Sequence, residues 1–227
     1  IDGGDGDDIL YGGDGDDIII GGEGVDTIYG GSGNDNISTG SSQGYSDNNS
    51  SIQLVDAGDG DDYISGRANL KILAGSGDDT IYGAGNYIDA GEGDDNIYVA
   101  TSSGIGNLTL DYLDGGDGYD TLRMQDWWGG GDYGTYSLGE VVTNVEELHI
   151  YGELTLGAQA GSSGETIVIK KEDGGWGTFT SLTAANIDFQ GSDGRWDNTG
   201  GDDTVILGAG NDIVTLNGGD DVITAGA

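Results

Sequence analysis

From Gly3 to Ser38 single aliphatic side chains recur every ninth residue, at Leu10, Ile19, Ile28 and Ile37, between stretches dominated by glycine and aspartate. Read in nines the segment is GGDGDDILY, GGDGDDIII, GGEGVDTIY and GGSGNDNIS, with no gap between copies. The seventh to ninth places predict a three-residue strand whose middle side chain points opposite to its two neighbours. Glycine in the first, second and fourth places predicts a sharp bend with backbone at positive φ. A unit with one inward aliphatic cannot bury a face alone, so the fixed short period predicts a stacked solenoid.

Further along, the register breaks and returns. Residues 40–51 (GSSQGYSDNNSS) read as a polar loop, and a strand is expected from Ile52 to Asp56. Good nonapeptides then start at Ala57, Ala74, Ala90 and Gly115, separated by stretches such as GRANLKIL and GAGNYID that keep a strand but lack the acidic bend. From Met124 to Gln190 the bend is absent; a loop rich in glycine and aromatics (126–136) precedes strand-like stretches at Glu147–Ile150, Leu154–Leu156, Thr166–Lys170, Thr178–Leu182 and Ile187–Gln190. The aliphatics Leu148, Ile167, Ile187, Val205 and Ile223 are spaced by 19, 20, 18 and 18 residues, which predicts a solenoid continuing through this segment, with a small β-sandwich as the alternative. The nines return from Asn198 as NTGGDDTVI, LGAGNDIVT and LNGGDDVIT. The expected organisation is thus residues 1–123, 124–190 and 191–227, in an all-β fold. The chain starts at Ile1 inside one repeat and ends just past another, which predicts a segment of a longer polypeptide.

Charge changes this picture. The 227 residues carry 42 acidic against 6 basic side chains, a formal net charge of -36, with 49 glycines and neither proline nor cysteine. Such a chain, weakly hydrophobic and strongly self-repelling, stays disordered unless a counter-charge is supplied. Nucleic acid is a poor partner for so acidic a surface, and no apolar run is long enough for membrane insertion. Without cysteine there is no disulfide framework.

The counter-charge is written into the repeat. The sixth place is aspartate in eight good units (Asp8, Asp17, Asp26, Asp35, Asp62, Asp79, Asp95 and Asp120) and in the three later ones (Asp203, Asp212 and Asp221). Hard carboxylate oxygens beside main-chain carbonyls, repeated at the ~4.8 Å spacing of stacked strands, suit calcium, which takes six to eight oxygens at roughly 2.3 to 2.6 Å. Bare, two such carboxylates repel by about 1 kcal/mol in water and several times more in a less polar setting. The expectation is a chain that is disordered without calcium and folds on binding it.

The residues GGxGxD with an aliphatic two places on resemble the RTX, or hemolysin-type, nonapeptide calcium repeat, a known calcium-binding parallel β-helix pattern. The resemblance covers Asp2 to Arg123 and, more loosely, Asn198 to Ala227. It implies a right-handed parallel β-roll of two parallel sheets, with two nonapeptides per coil and calcium between stacked turns. Turns would then alternate between two edges. One edge carries a long ladder from Asp17 through Asp35, Asp62, Asp79 and Asp95 to Asp120; the other carries only Asp8 and Asp26 before its turns decay. Counting gaps gives about seven calcium ions. The resemblance further implies a secreted, extracellular or bacterial cell-surface protein exported by a Gram-negative-type (type I) secretion system.

Other candidates are weaker. His149 has no serine or cysteine partner motif and reads as structural, and Glu146 and Glu147 read as solvated surface. Trp127, Trp128, Tyr133 and Tyr136, with Trp176 and Trp196, either plug the roll or form a platform for a glycan. The outward row Ile18, Asn36, Tyr63, Thr80, Asn96 and Thr121 is too irregular to match an ice lattice. The expected function is a non-enzymatic, calcium-dependent structural and assembly module of a surface-layer, adhesin or filament protein, whose partners are copies of itself or neighbouring domains. The alternatives are an accessory module of a secreted protease, lipase or polysaccharide epimerase, and glycan binding through the Trp127 loop.

Overall fold

The computed structural model describes residues 1–40, 52–66, 70–83, 87–101, 109–110, 112–126, 135–138, 142–150, 153–156, 166–171, 177–181, 186–190, 203–206, 213–215, 220 and 222–224. Among these residues all regular structure is strand, and every strand pair is parallel. The longest sheet has eleven strands, Asp2–Asp5, Ile18–Glu23, Asn36–Gly40, Tyr63–Ser65, Thr80–Tyr82, Asn96–Thr101, Thr121–Asp126, Glu147–Ile150, Thr166–Lys171, Asn186–Gln190 and Ile213–Thr215, stacked in chain order. The strands between them in sequence build the second face: Ile9–Asp14, Thr27–Ser32, Gln53–Asp59, Leu70–Ser76, Tyr87–Glu92, Tyr112–Asp117 and Val142–Thr143. This is the parallel β-roll that the RTX resemblance implies, with one nonapeptide on each face of a coil.

Tyr63–Ser65 and Thr80–Tyr82 have the three residues expected, but most strands of the two faces are longer. Ile18–Glu23 and Thr27–Ser32 run from the seventh place of one unit through the third place of the next. Inward positions are therefore two per strand, the eighth place and the first place of the following unit: Ile28 and Gly30 are buried, as are Val55 with Ala57 and Ile88 with Ala90. The eighth-place residues Ile19, Ile28, Ile37, Val55, Ile64, Ile72, Ile81, Ile88, Ile97, Leu113, Leu122 and Leu148 are fully buried and form one continuous core. Leu10, on the first coil, is half-buried and packs against this core. Burying one such aliphatic contributes about 1.5 to 3 kcal/mol, so the core grows by only two side chains and two small residues per coil.

Coil length varies while register does not. Successive aspartates of the long ladder are 18, 27, 17, 16 and 25 residues apart. Ile37 nevertheless faces Ile64, Ile64 faces Ile81, and Ile81 faces Ile97. Every long-ladder bend keeps its six residues, so the differences in length fall on the opposite edge.

A third sheet joins the two expected ones. Thr109–Leu110, Thr135–Leu138, Glu153–Leu156, Gly177–Ser181, Asp203–Ile206 and Val222–Thr224 form a separate six-stranded parallel sheet. Two coils, 109–126 and 135–150, thus contribute a strand to all three sheets. Beyond Thr143 the six-stranded sheet replaces the seven-stranded one as partner in the alternation. The aliphatics whose spacing predicts a continuing solenoid do not lie in one row: Leu148 lies beside Ile169, and Val205 lies beside Phe179 and Ile223 on a different sheet from Ile187. Spacing alone cannot separate two faces whose periods are similar.

Candidate metal centre

The bend between strands needs glycine at two places of the unit. The second- and fourth-place residues Gly31 and Gly33 have φ of 121° and 115°, and a Cβ on Gly31 would overlap the carbonyl oxygen of Gly13 on the preceding coil. The first place is different. Gly12 and Gly30 are not among the residues with positive φ. That corrects the sequence expectation and explains why alanine stands there at Ala57, Ala74 and Ala90. Fourth-place amides donate to third-place carbonyls of the next coil, as Gly33 to Asp59 at 2.8 Å and Gly60 to Ser76 at 2.7 Å. Sixth-place carbonyls accept from the seventh-place amide one coil on, as Asp62 from Thr80 at 2.8 Å. The bends are thus locked coil to coil by main-chain bonds before any side chain acts.

The sixth-place aspartates form the two ladders. The Asp17 amide donates to Oδ1 of Asp35 at 2.8 Å, Asp35 to Asp62 at 2.7 Å, Asp62 to Asp79 and Asp79 to Asp95 at 2.8 Å, and Asp95 to Asp120 at 2.9 Å. On the other edge the Asp8 amide donates to Asp26 at 3.1 Å. The carboxylates of Asp26, Asp35, Asp62, Asp79, Asp95 and Asp120 each spend one oxygen in this way. The other, Oδ2, is buried without a hydrogen-bond partner in Asp8, Asp17, Asp26, Asp35, Asp62, Asp79, Asp95 and Asp120. No basic side chain pairs with any of these eight among the described residues. An unpaired buried carboxylate oxygen costs several kcal/mol, so eight in two files mark the position of a missing positive charge.

Electrostatics point the same way. Burial, opposed by the amide bond from Asp62 and reinforced by the charges of Asp95 and Asp62, pushes the Asp79 carboxyl up to about 8. Burial likewise raises Asp95 to about 7 and Asp62 and Asp120 to about 6, and shifts Asp26 and Asp35 upward. A cation between the turns would reverse each of these penalties.

The donors available are oxygens of two kinds. A Cβ placed on Gly21 would meet Oδ2 of Asp26 at 2.5 Å and the Thr39 carbonyl oxygen of the next coil at 2.8 Å. Over Gly12 the same two kinds of atom converge, Oδ2 of Asp17 and the carbonyl of Gly30. Among the described residues no three His, Cys, Asp or Glu side chains come together. A cation here is therefore completed by main-chain carbonyls, the mixed shell that calcium accepts and softer metals do not favour. The residues fit the ion.

Of the remaining predicted ligands, Asp203 opens a strand of the six-stranded sheet, whereas Asp212 and Asp221 lie outside the described residues. Trp127, Trp128, Tyr133, Trp176 and Trp196 also lie outside them; Tyr136 is in a strand beside Leu154.

Sequence reasoning missed a second ladder in the fifth place. Oδ1 of Asp16 accepts the Asn34 amide at 2.9 Å, Asn34 that of Asp61 at 3.1 Å, Asp61 that of Asp78 at 3.0 Å, Asp78 that of Asp94 and Asp94 that of Tyr119 at 2.8 Å. These bonds run from the later coil to the earlier, opposite to the sixth-place ladder. The signal was the recurrence of Asp or Asn in the fifth place, broken only at Val25 and Tyr119 among the eight good units. Glu146 and Glu147 are also more than solvated surface. Glu146 accepts the Asp120 amide, and Glu147 accepts from Tyr119 Oη at 2.8 Å and contacts His149 Nε2. His149 is buried, with Nδ1 3.3 Å from an Arg123 guanidinium nitrogen.

The RTX calcium-binding nonapeptide repeat (4 copies) family matches residues 1–40, 54–69, 105–123 and 197–227. No curated protein and no solved structure gave a match. With GGxGxD bends, paired edges and a parallel roll in place, the chain carries RTX calcium-binding nonapeptide repeats.

Proposed function

We propose that this chain is a structural module that folds and assembles under the control of calcium, within a secreted or cell-surface protein of the surface-layer, adhesin or filament type. Eight buried, unpartnered carboxylate oxygens in two files support this reading. In it, Asp17, Asp35, Asp62, Asp79, Asp95 and Asp120 hold one file of ions, Asp8 and Asp26 begin the other, and Asp203, Asp212 and Asp221 serve the C-terminal block. About seven ions would be held in all. Residues 1–123 and 191–227 are then calcium blocks joined by segment 124–190 of the same roll. Where calcium is scarce the charge of -36 keeps the chain extended; where it is abundant the ladders neutralise and the coils stack. Copies of the chain, or neighbouring domains, are the partners of the assembled form.

The test is a calcium titration followed by circular dichroism and calorimetry. Strand signal should rise cooperatively with calcium and vanish in excess chelator. A strand signal indifferent to chelator would end the proposal.

A further inference from the structure

The long ladder continues past its last GGxGxD bend, and we propose that it closes with one more calcium site, between the Gly115–Asp120 bend and a short turn at residues 144–146. The inference rests on the calcium reading above. The family match is interrupted from residue 124 to 196, and nothing in residues 142–147 (VTNVEE) resembles the repeat. Yet Leu122 lies beside Leu148 in register, so this turn stacks directly on the last acidic bend.

Several features of a regular step recur there. The Asp120 amide donates to Oε2 of Glu146 at 2.8 Å, as each earlier aspartate amide donates to the next carboxylate. The amides of Glu146 and Glu147 donate to the Asp120 carbonyl at 3.1 and 3.0 Å, the role taken by the seventh-place amide elsewhere. Over Gly115 the Asn144 carbonyl oxygen and Oδ2 of Asp120 converge, as the Gly30 carbonyl and Oδ2 of Asp17 do over Gly12. Asp120 is 0% exposed, and its Oδ2 has no hydrogen-bond partner.

The short turn reaches this arrangement by other means. Asn144, with φ of 53°, is the only described non-glycine residue with positive φ, a conformation asparagine tolerates better than most. Its Nδ2 donates to Oδ1 of Asp114 at 2.7 Å, and Asp114 is held in turn by the Tyr112 hydroxyl at 2.9 Å. These bonds fix the direction of the Asn144 carbonyl where the repeat would use glycine. Glutamate's extra methylene lets Glu146 reach the ladder from a turn of three residues where the repeat has six. A plain cap would have given Asp120 Oδ2 a donor. The turn instead presents a carbonyl and a second carboxylate, oxygen ligands of the kind calcium takes.

Native mass spectrometry of the whole chain in calcium counts the ions. Glu146→Gln keeps an acceptor for the Asp120 amide but removes the charge; it should bind one ion fewer than wild type, whereas Glu147→Gln should bind the full number. An unchanged count in Glu146→Gln overturns the proposal while leaving the ladder reading intact. A wild-type chain that binds no calcium overturns both. Should Glu146→Gln fail to fold, carbodiimide labelling of the wild type decides: calcium should protect Glu146 together with Asp120, and Glu146 labelling unchanged by calcium overturns the site.

Discussion

Asp79→Asn should stabilise the roll without calcium and destabilise it with calcium. Asp79 lies mid-ladder, fully buried, accepting from the Asp62 amide and donating its own amide to Asp95, each at 2.8 Å. Asparagine retains Oδ1 for the Asp62 amide. It places an amide NH2 where the unpartnered Oδ2 stood. In the calcium-free roll the carboxyl is raised from 3.8 to about 8, first by burial and then by the charges of Asp95 and Asp62. At pH 7 the unfolded chain keeps this group ionised about three units above its ordinary value, so holding it in the roll costs on the order of 4 kcal/mol. The substitution removes that cost. With calcium bound, the same change takes a charge from both adjacent gaps, and breaking a buried ion pair costs about 3 to 5 kcal/mol, or roughly a hundredfold or more in affinity. The strand signal that circular dichroism reads in chelator, and urea unfolding in saturating calcium, give the two signs. Destabilisation in both conditions would show that Asp79 is held by protein contacts rather than by an ion.

The other predictions concern pH and the second-rank residues. In chelator, strand signal should grow as pH falls from about 8 to about 4. Asp79, Asp95, Asp62 and Asp120 have folded values of about 8, 7, 6 and 6 against 3.8, so the metal-free roll binds more protons than the unfolded chain, and the stabilisation is complete below 3.8 and lost as pH rises through the folded values. In calcium the dependence should reverse, since protons compete for the same oxygens; a calcium affinity that does not fall on acidification would contradict this. Gly75→Ala should lower stability in calcium by at least about 1 to 3 kcal/mol in thermal melts, because φ is 122° there and the new Cβ would overlap the Gly58 carbonyl. Asp78→Ala removes the acceptor of the Asp94 amide at an exposed position and should cost about 1 kcal/mol, with calcium stoichiometry by native mass spectrometry unchanged.

Much of the molecule follows from local sequence. The period of nine, the inward aliphatic in the eighth place and the sixth-place aspartate suffice for a parallel roll with acidic bends, since each rule acts within one unit and is repeated. With the two units per coil that the resemblance implies, the bends sort onto two edges, and the amide ladder from Asp17 to Asp120 runs through the same six residues in the same order. Tertiary structure decided whatever depends on the neighbouring coil. First-place residues became strand positions facing the core, where size rather than φ matters. Fifth-place carboxylates found amides one coil away, which no single unit can reveal. The second face passed from one sheet to another between Thr109 and Thr143, where the coils lengthen and aliphatic spacing no longer names a partner. Glu146 shows the limit most sharply: no motif marks it, and only stacking under Asp120 brings its carboxylate into the ladder.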